Sequence, residues 1–221
     1  MRTTRRQVII GSAVLATAAI VTGGTLVTFF GSTAPAPAES VPTADLMQAG
    51  PLGEQALGPE TAPVTIIEYA SMTCPHCANF AVNVLPKLKE RYIDTGKVRF
   101  IFREFPFDNL AAAGFMLARC GDKDKFFPMI EALFQQQSKW VVKDATEPLL
   151  AIAKQAGFTK ETFEACLANQ KVLEGIEWVK DRGEQKFKVN ATPTFFINGE
   201  LHRGEMSLED MEKAIQPYLK A

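Results

Sequence analysis

Apolar positions change their spacing several times along this chain, and each change marks an element. Val8 to Phe30 is one long apolar run behind a basic start. Residues 31–63 are rich in Pro, Ala and Thr and carry no period, which predicts a linker, drawn as 39–57. Val64-Thr-Ile-Ile-Glu-Tyr-Ala70 then reads as a buried strand. From Pro75 to about Ile93, Phe80, Val84, Leu88 and Tyr92 recur at four-residue steps with Leu85 beside them, giving a helix with one apolar face. Pro86 removes a backbone donor and should kink it. After the turn at Asp94-Thr-Gly96, Val98 to Phe105 is a second strand, with Phe100 and Phe102 on one face and Ile101 on the other. Arg103 and Glu104 are expected there as a solvated edge pair.

Between about 107 and 188 no strand pattern appears. Helical spacing predicts helices at about 109–120, 124–137, 146–156, 159–169 and 171–187, with Gly157 closing the third and Thr159 capping the fourth. Thr194 to Ile197 is a strand after Pro193, and Asn198-Gly199 is a hairpin turn into the next one. Ser207 with Asp210 caps a last helix through about Leu219. The order predicts an α/β fold with a mixed central sheet and an inserted helical domain.

The N-terminus changes the picture of where this domain works. Arg2, Arg5 and Arg6 precede the apolar run, and Ala36-Pro-Ala38 follows it, which describes an export signal over 1–38 with cleavage after Ala38. Thr4-Arg5-Arg6-Gln7 resembles a twin-arginine export motif. The alternative is an uncleaved membrane anchor, because the apolar run is long enough to span a bilayer. A third reading, a buried core helix, fits the basic flank less well. Either of the first two places the rest of the chain outside the cytoplasm.

Composition is that of an ordinary globular protein, 47% hydrophobic and 22% charged. The whole chain carries a formal net charge of −1, and without its first 38 residues about −4. There is no basic run, no aromatic-basic interleaving and no phosphate-cradling loop, so nucleic acid is not an expected partner. A monomer is the default.

The candidate chemistry lies between the first strand and its helix, at Cys74-Pro75-His76-Cys77. A strand that delivers this motif to a helix start places the Cys74 sulfur where unpaired N–H groups and the helix dipole favour negative charge. The thiolate is the reacting form of cysteine, so the position arms Cys74 for disulfide exchange. Pro75 suits the first helical position, His76 adds positive charge, and Cys77 is the natural resolving thiol. The competing reading is zinc, which needs about four ligands; Cys120, Cys166 and His202 are scattered, and no metal or other cofactor is expected. Glu68 has two readings: turned outward to water, or partly buried near the dithiol and relaying protons. Cys120 and Cys166 likewise stand either as two buried free cysteines or, favoured by export, as a structural disulfide.

Cys74-Pro75-His76-Cys77, with Ala191-Thr192-Pro193-Thr194-Phe195-Phe196-Ile197-Asn198-Gly199 far downstream, resembles the DsbA-like branch of the thioredoxin superfamily. The likeness is greatest to its alphaproteobacterial members and covers about residues 52–220, with the domain drawn as 58–221. It implies a thioredoxin fold and a thiol:disulfide oxidoreductase of the periplasm, introducing disulfides into reduced or unfolded exported proteins. It further implies that Pro193 is cis and faces the dithiol, with Thr192, to bind the substrate strand. Glu68 falls at the place of the family's acid beneath the dithiol. A quinone-linked membrane reoxidase of the DsbB type is implied as partner. Ala81 departs from the pattern, since a close match would carry an acid there. Two rivals remain: an isomerase or reductase that is kept reduced, and a tethered chaperone or peptide-binding module whose dithiol is incidental.

Overall fold

Strand pairing, more than local pattern, decides this architecture, seen in a computed structural model that describes residues 40–219. The expected signal or anchor at 1–38 lies outside the described residues. Among the described residues no helix is long and apolar enough to cross a membrane.

The sheet has five strands: β1 (Gln55–Leu57), β2 (Val64–Ala70), β3 (Val98–Glu104), β4 (Thr194–Ile197) and β5 (Glu200–Arg203), in the order β1-β3-β2-β4-β5. Only β2 and β3 are parallel, joined by the helical crossover that a parallel pair requires. β4 returns antiparallel to β2, and the β4–β5 hairpin turns through Asn198 and Gly199 at φ 46° and 94°. Both residues need positive φ in such a two-residue turn, which is why Asn-Gly is found there. The Asn198 side chain accepts from Thr65 N–H at 2.7 Å and fixes this turn to β2.

Alternation along the strands sorts two cores. Ile66, Phe100, Phe102, Phe195 and Ile197 face the dithiol helix and the helical insertion. Ile67, Tyr69, Ile101 and Phe196 face the other side, against Val179 and Phe187. The long helix that carries those two comes close because Gly183 has no side chain: a Cβ there would lie 2.7 Å from the Tyr69 ring.

The helices are α1 (Thr43–Leu46), α2 (residues 75–93), α3 (Asn109–Cys120), α4 (Phe126–Gln135), α5 (Gln137–Trp140), α6 (Thr146–Gln155), α7 (Lys160–Leu167), α8 (Gln170–Phe187) and α9 (Leu208–Leu219). Helix α2 accommodates Pro86 with a π-helical turn at Phe80–Val84, which ends two residues before the proline that lacks a donor. A second π-turn closes it at Lys89–Ile93.

Two expectations are corrected. The stretch 39–57 is not a featureless linker: it holds α1, pairs Ser40 with Glu200, and adds β1 to the edge of the sheet. These elements are three or four residues long, too short for a period, and their partners are remote. Arg103 and Glu104 are not a solvated pair either, being 3% and 0% exposed. Arg103 bonds Glu54 at 2.8 Å and the carbonyls of Leu46 and Gln48, and Glu104 is paired with Arg119 of α3. The two guanidiniums tie the N-terminal strap and the insertion to β3, satisfying charges that would otherwise be costly to bury.

Candidate functional site

β2 ends at Ala70, and the loop Ser71–Thr73 hands the chain to α2. Cys74 is the N-cap residue with extended backbone, Pro75 is in the first turn, and the Cys74 carbonyl accepts the first helical bond from Ala78 N–H at 3.1 Å. Gln137 of α5 donates from one side-chain nitrogen to the carbonyls of Met72 at 2.9 Å and Cys74 at 3.0 Å, which fixes the loop from the insertion side. Thr73 is held by Asp108, itself the N-cap of α3.

The two sulfurs of this pair are both free and sharply unequal. Cys74 is 8% exposed and Cys77 0%. The Cys74 thiol is pushed down from 9.0 to about 5. The largest cause is the hydrogen bond from the Cys77 thiol; burial opposes it, and the Thr192 hydroxyl and the backbone N–H groups of Cys77 and His76 add to it. Burial pushes Cys77 strongly up, and its bond to Cys74 and the nearby Glu68 carboxylate push the same way. One thiol is therefore a stabilised anion and the other holds its proton.

Thr192–Pro193 is a cis peptide bond, and the Thr192 carbonyl lies 3.3 Å from Cys74 Sγ. The fold thus brings together Cys74, Cys77, Thr192 and Pro193, which are separated by more than a hundred positions in the chain.

Glu68 is 1% exposed, on the face of β2 shared with Ile66 and between Phe102 of β3 and Phe195 of β4. It does not turn outward to water. One of its oxygens has no hydrogen-bond partner, and burial, then the charge of Cys74, raise its pKa well above 4.5. Burial in this largely apolar setting favours its neutral, protonated form. It lines a cavity of about 950 Å³ that also has Ala81, Leu85, Phe102, Phe127 and Arg99 in its walls.

His76 is mostly exposed, and its Nδ1 lies 2.6 Å from the Glu205 carboxylate. The other oxygen of that carboxylate accepts from Asn79. Glu205, Asn79 and Gln137 carried no signal in the sequence: each acts on a partner distant in the chain. Gly204, just past β5, marks the turn that positions Glu205, with its N–H on the Pro193 carbonyl at 2.9 Å.

Cys120 and Cys166 lie apart from this site and are bonded to each other, across a Cα–Cα distance of 5.9 Å. Among the described residues, no group of three or more His, Cys, Asp or Glu side chains is arranged to hold a metal ion.

Comparison with known proteins agrees with this geometry. A family model described as Thioredoxin matches residues 52–217. A Bacillus cereus protein named "Probable disulfide bond formation protein D" is 36% identical over 178 residues, 76% of this chain and 79% of that one. A longer Rickettsia felis relative is 32% identical over 169 residues, which cover 60% of its length. Among solved structures, Wolbachia pipientis alpha-DsbA1 superimposes with a TM-score of 0.74 at 32% identity, over 80% of this chain and 95% of that one. Bacillus subtilis BdbD in its oxidised form gives 0.67 at 26% identity, over 76% and 94%.

Proposed function

The chain belongs to the thioredoxin family, in its DsbA-like branch of thiol:disulfide oxidoreductases, and from that premise we propose that it is an exported oxidase that forms disulfides in reduced client proteins. The observation that carries the oxidising direction is the inequality of the two thiols. Stabilising the Cys74 thiolate favours the reduced dithiol over the disulfide, so the oxidised protein gives up its disulfide readily.

In the working cycle the protein starts with a Cys74–Cys77 disulfide. A client thiolate attacks Cys74 Sγ, the Cys74–Cys77 bond breaks, and the electron pair goes to Cys77. Cys77 cannot keep a charge in its buried position and takes a proton, which Glu68 supplies as a neutral acid. The cavity behind Glu68 is where it recovers that proton. A second client thiolate then attacks the client sulfur of the mixed disulfide, and Cys74 leaves as the stabilised thiolate. The client has lost two electrons and the dithiol has gained them. Thr192 and Pro193 present their backbone to the client strand, Pro75 and His76 shape the helix start, and Cys120–Cys166 braces the insertion.

The protein works as a monomer in the bacterial periplasm, by the reading of residues 1–38 as a signal or anchor. A quinone-linked membrane reoxidase of the DsbB type restores the disulfide. The test is oxidation of a reduced, unfolded model client by stoichiometric oxidised protein. Cys74→Ser is expected to abolish it. A variant that still supports oxidation overturns the role of Cys74, and loss of oxidation by a wild type that only suppresses aggregation would favour a binding module.

A further inference from the structure

The cycle above makes no use of Glu205, yet this side chain holds the first turn of the active-site helix, as Glu212 holds its last turn through Arg91 and Tyr92. Its two carboxylate oxygens take His76 Nδ1, at 2.6 Å, and Asn79 Nδ2, and Asn79 in turn accepts from Asn83 at 2.6 Å. The loop beneath Glu205 is itself anchored, because the preceding Gly204 N–H bonds the Pro193 carbonyl at 2.9 Å. The imidazole two residues after Cys74 is therefore held through Nδ1 on a carboxylate that the cis-proline segment fixes in place.

We propose that Glu205 is a positioning residue that restrains the oxidising strength of the dithiol, by orienting His76 and placing a negative charge against it at the lip of the site. This rests on the oxidase reading, and its sign follows from charge alone. With Glu205 ionised, the pair carries no net charge when His76 is protonated and −1 when it is not. With an uncharged residue at 205, the same two states carry +1 and 0. The local charge therefore rises or stays level, and a Cys74 thiolate beside it is stabilised. The pairing is mutual, since the His76 and Asn79 hydrogen bonds hold the Glu205 carboxyl below the usual carboxylate range. Both side chains are solvent-accessible, 65% for His76 and 36% for Glu205, so solvent and salt moderate the effect.

The test uses the full chain and compares wild type, Glu205→Gln and Glu205→Asp in glutathione redox buffers. Glu205→Gln keeps an acceptor for Asn79 and loses only the charge. Its equilibrium constant is expected to move toward the reduced dithiol by about threefold to tenfold, a tenfold change being about 30 mV. The absorbance titration of the Cys74 thiolate should shift to lower pH with it. Glu205→Asp keeps the charge and should stay within about twofold of wild type, and 1 M salt should shrink the difference between Gln and wild type. Equal constants for wild type and Glu205→Gln, a shift toward the disulfide, or an equal shift in Glu205→Asp would each overturn the proposal. The wild-type constant by itself tests the oxidase reading, so the two failures are told apart.

Discussion

The two cysteine pairs of this protein are chemically identical and environmentally opposite. Cys74 and Cys77 are one helical turn apart at the start of α2, with backbone N–H groups of Cys77 and His76 directed at the first sulfur. Cys120 and Cys166 are 46 residues apart, and Cys120 is the last residue of α3, at the carbonyl end of a helix. That end disfavours a thiolate as much as the N-terminal end favours one. Cys166 is 4% exposed inside α7, with the Met116 carbonyl oxygen 3.1 Å from its sulfur. A carbonyl faces the Cys74 sulfur as well, that of Thr192 at 3.3 Å, but there the Cys77 thiol and the N–H groups of the helix start outweigh it. The end of the helix a cysteine occupies, and the donors turned toward it, thus separate an exchangeable disulfide from a brace.

The largest expected effect breaks this contrast at its reactive side. Cys74→Ser should lower client oxidation by three orders of magnitude or more, whereas the double variant Cys120→Ala, Cys166→Ala should oxidise clients at near the wild-type rate, both read as free-thiol loss in the client. The same double variant should instead cost stability. Closing a loop of 46 residues stabilises by roughly 4 kcal/mol in the chain-entropy model, so denaturant midpoints should fall accordingly.

Next comes the buried acid beneath the reactive pair. Glu68 has a folded pKa raised above 4.5, so the folded state binds its proton more tightly and stability falls as pH rises from 4.5 through that raised value. Cys74 has the opposite sign in the reduced protein: lowered from 9.0 to about 5, it contributes stability that is present above pH 9 and is lost as pH falls through about 5. Glu68→Gln should remove the first dependence and leave the second, gaining about 1–3 kcal/mol at alkaline pH, as measured by urea melts across pH. It should also slow proton-coupled release of Cys77, seen as slower decay of the mixed disulfide. The smallest effect is Gln137→Ala, which frees the carbonyls of Met72 and Cys74 and should cost about 1 kcal/mol while loosening the loop before Cys74.

What the sequence made legible follows the range of the interactions. β2, the helix after Cys74, the Asn198-Gly199 hairpin and the insertion helices rest on local period and local caps; the Thr159 cap, bonded to Thr162, is one example. The positions of Cys74, Cys77 and Pro193 were legible because two motifs carry them. Hidden were the features that depend on partners far along the chain. Arg103 looked like a surface charge because Glu54 and the carbonyls of Leu46 and Gln48 cannot be seen from its neighbours. β1 is three residues long and exists as a strand only by pairing with β3. Glu205 sits 129 positions from His76 in a loop without a motif. For Glu68 the strand pattern left both faces open, and only the pairing with Phe102 and Phe195 places it inside.

The most direct measurement is the reduction potential of the Cys74–Cys77 pair, set against glutathione buffers. A strongly stabilised Cys74 thiolate predicts an oxidising value near −120 mV, as for DsbA. A value near −270 mV, as for thioredoxin, would contradict the oxidase account and assign the dithiol to reduction or isomerisation.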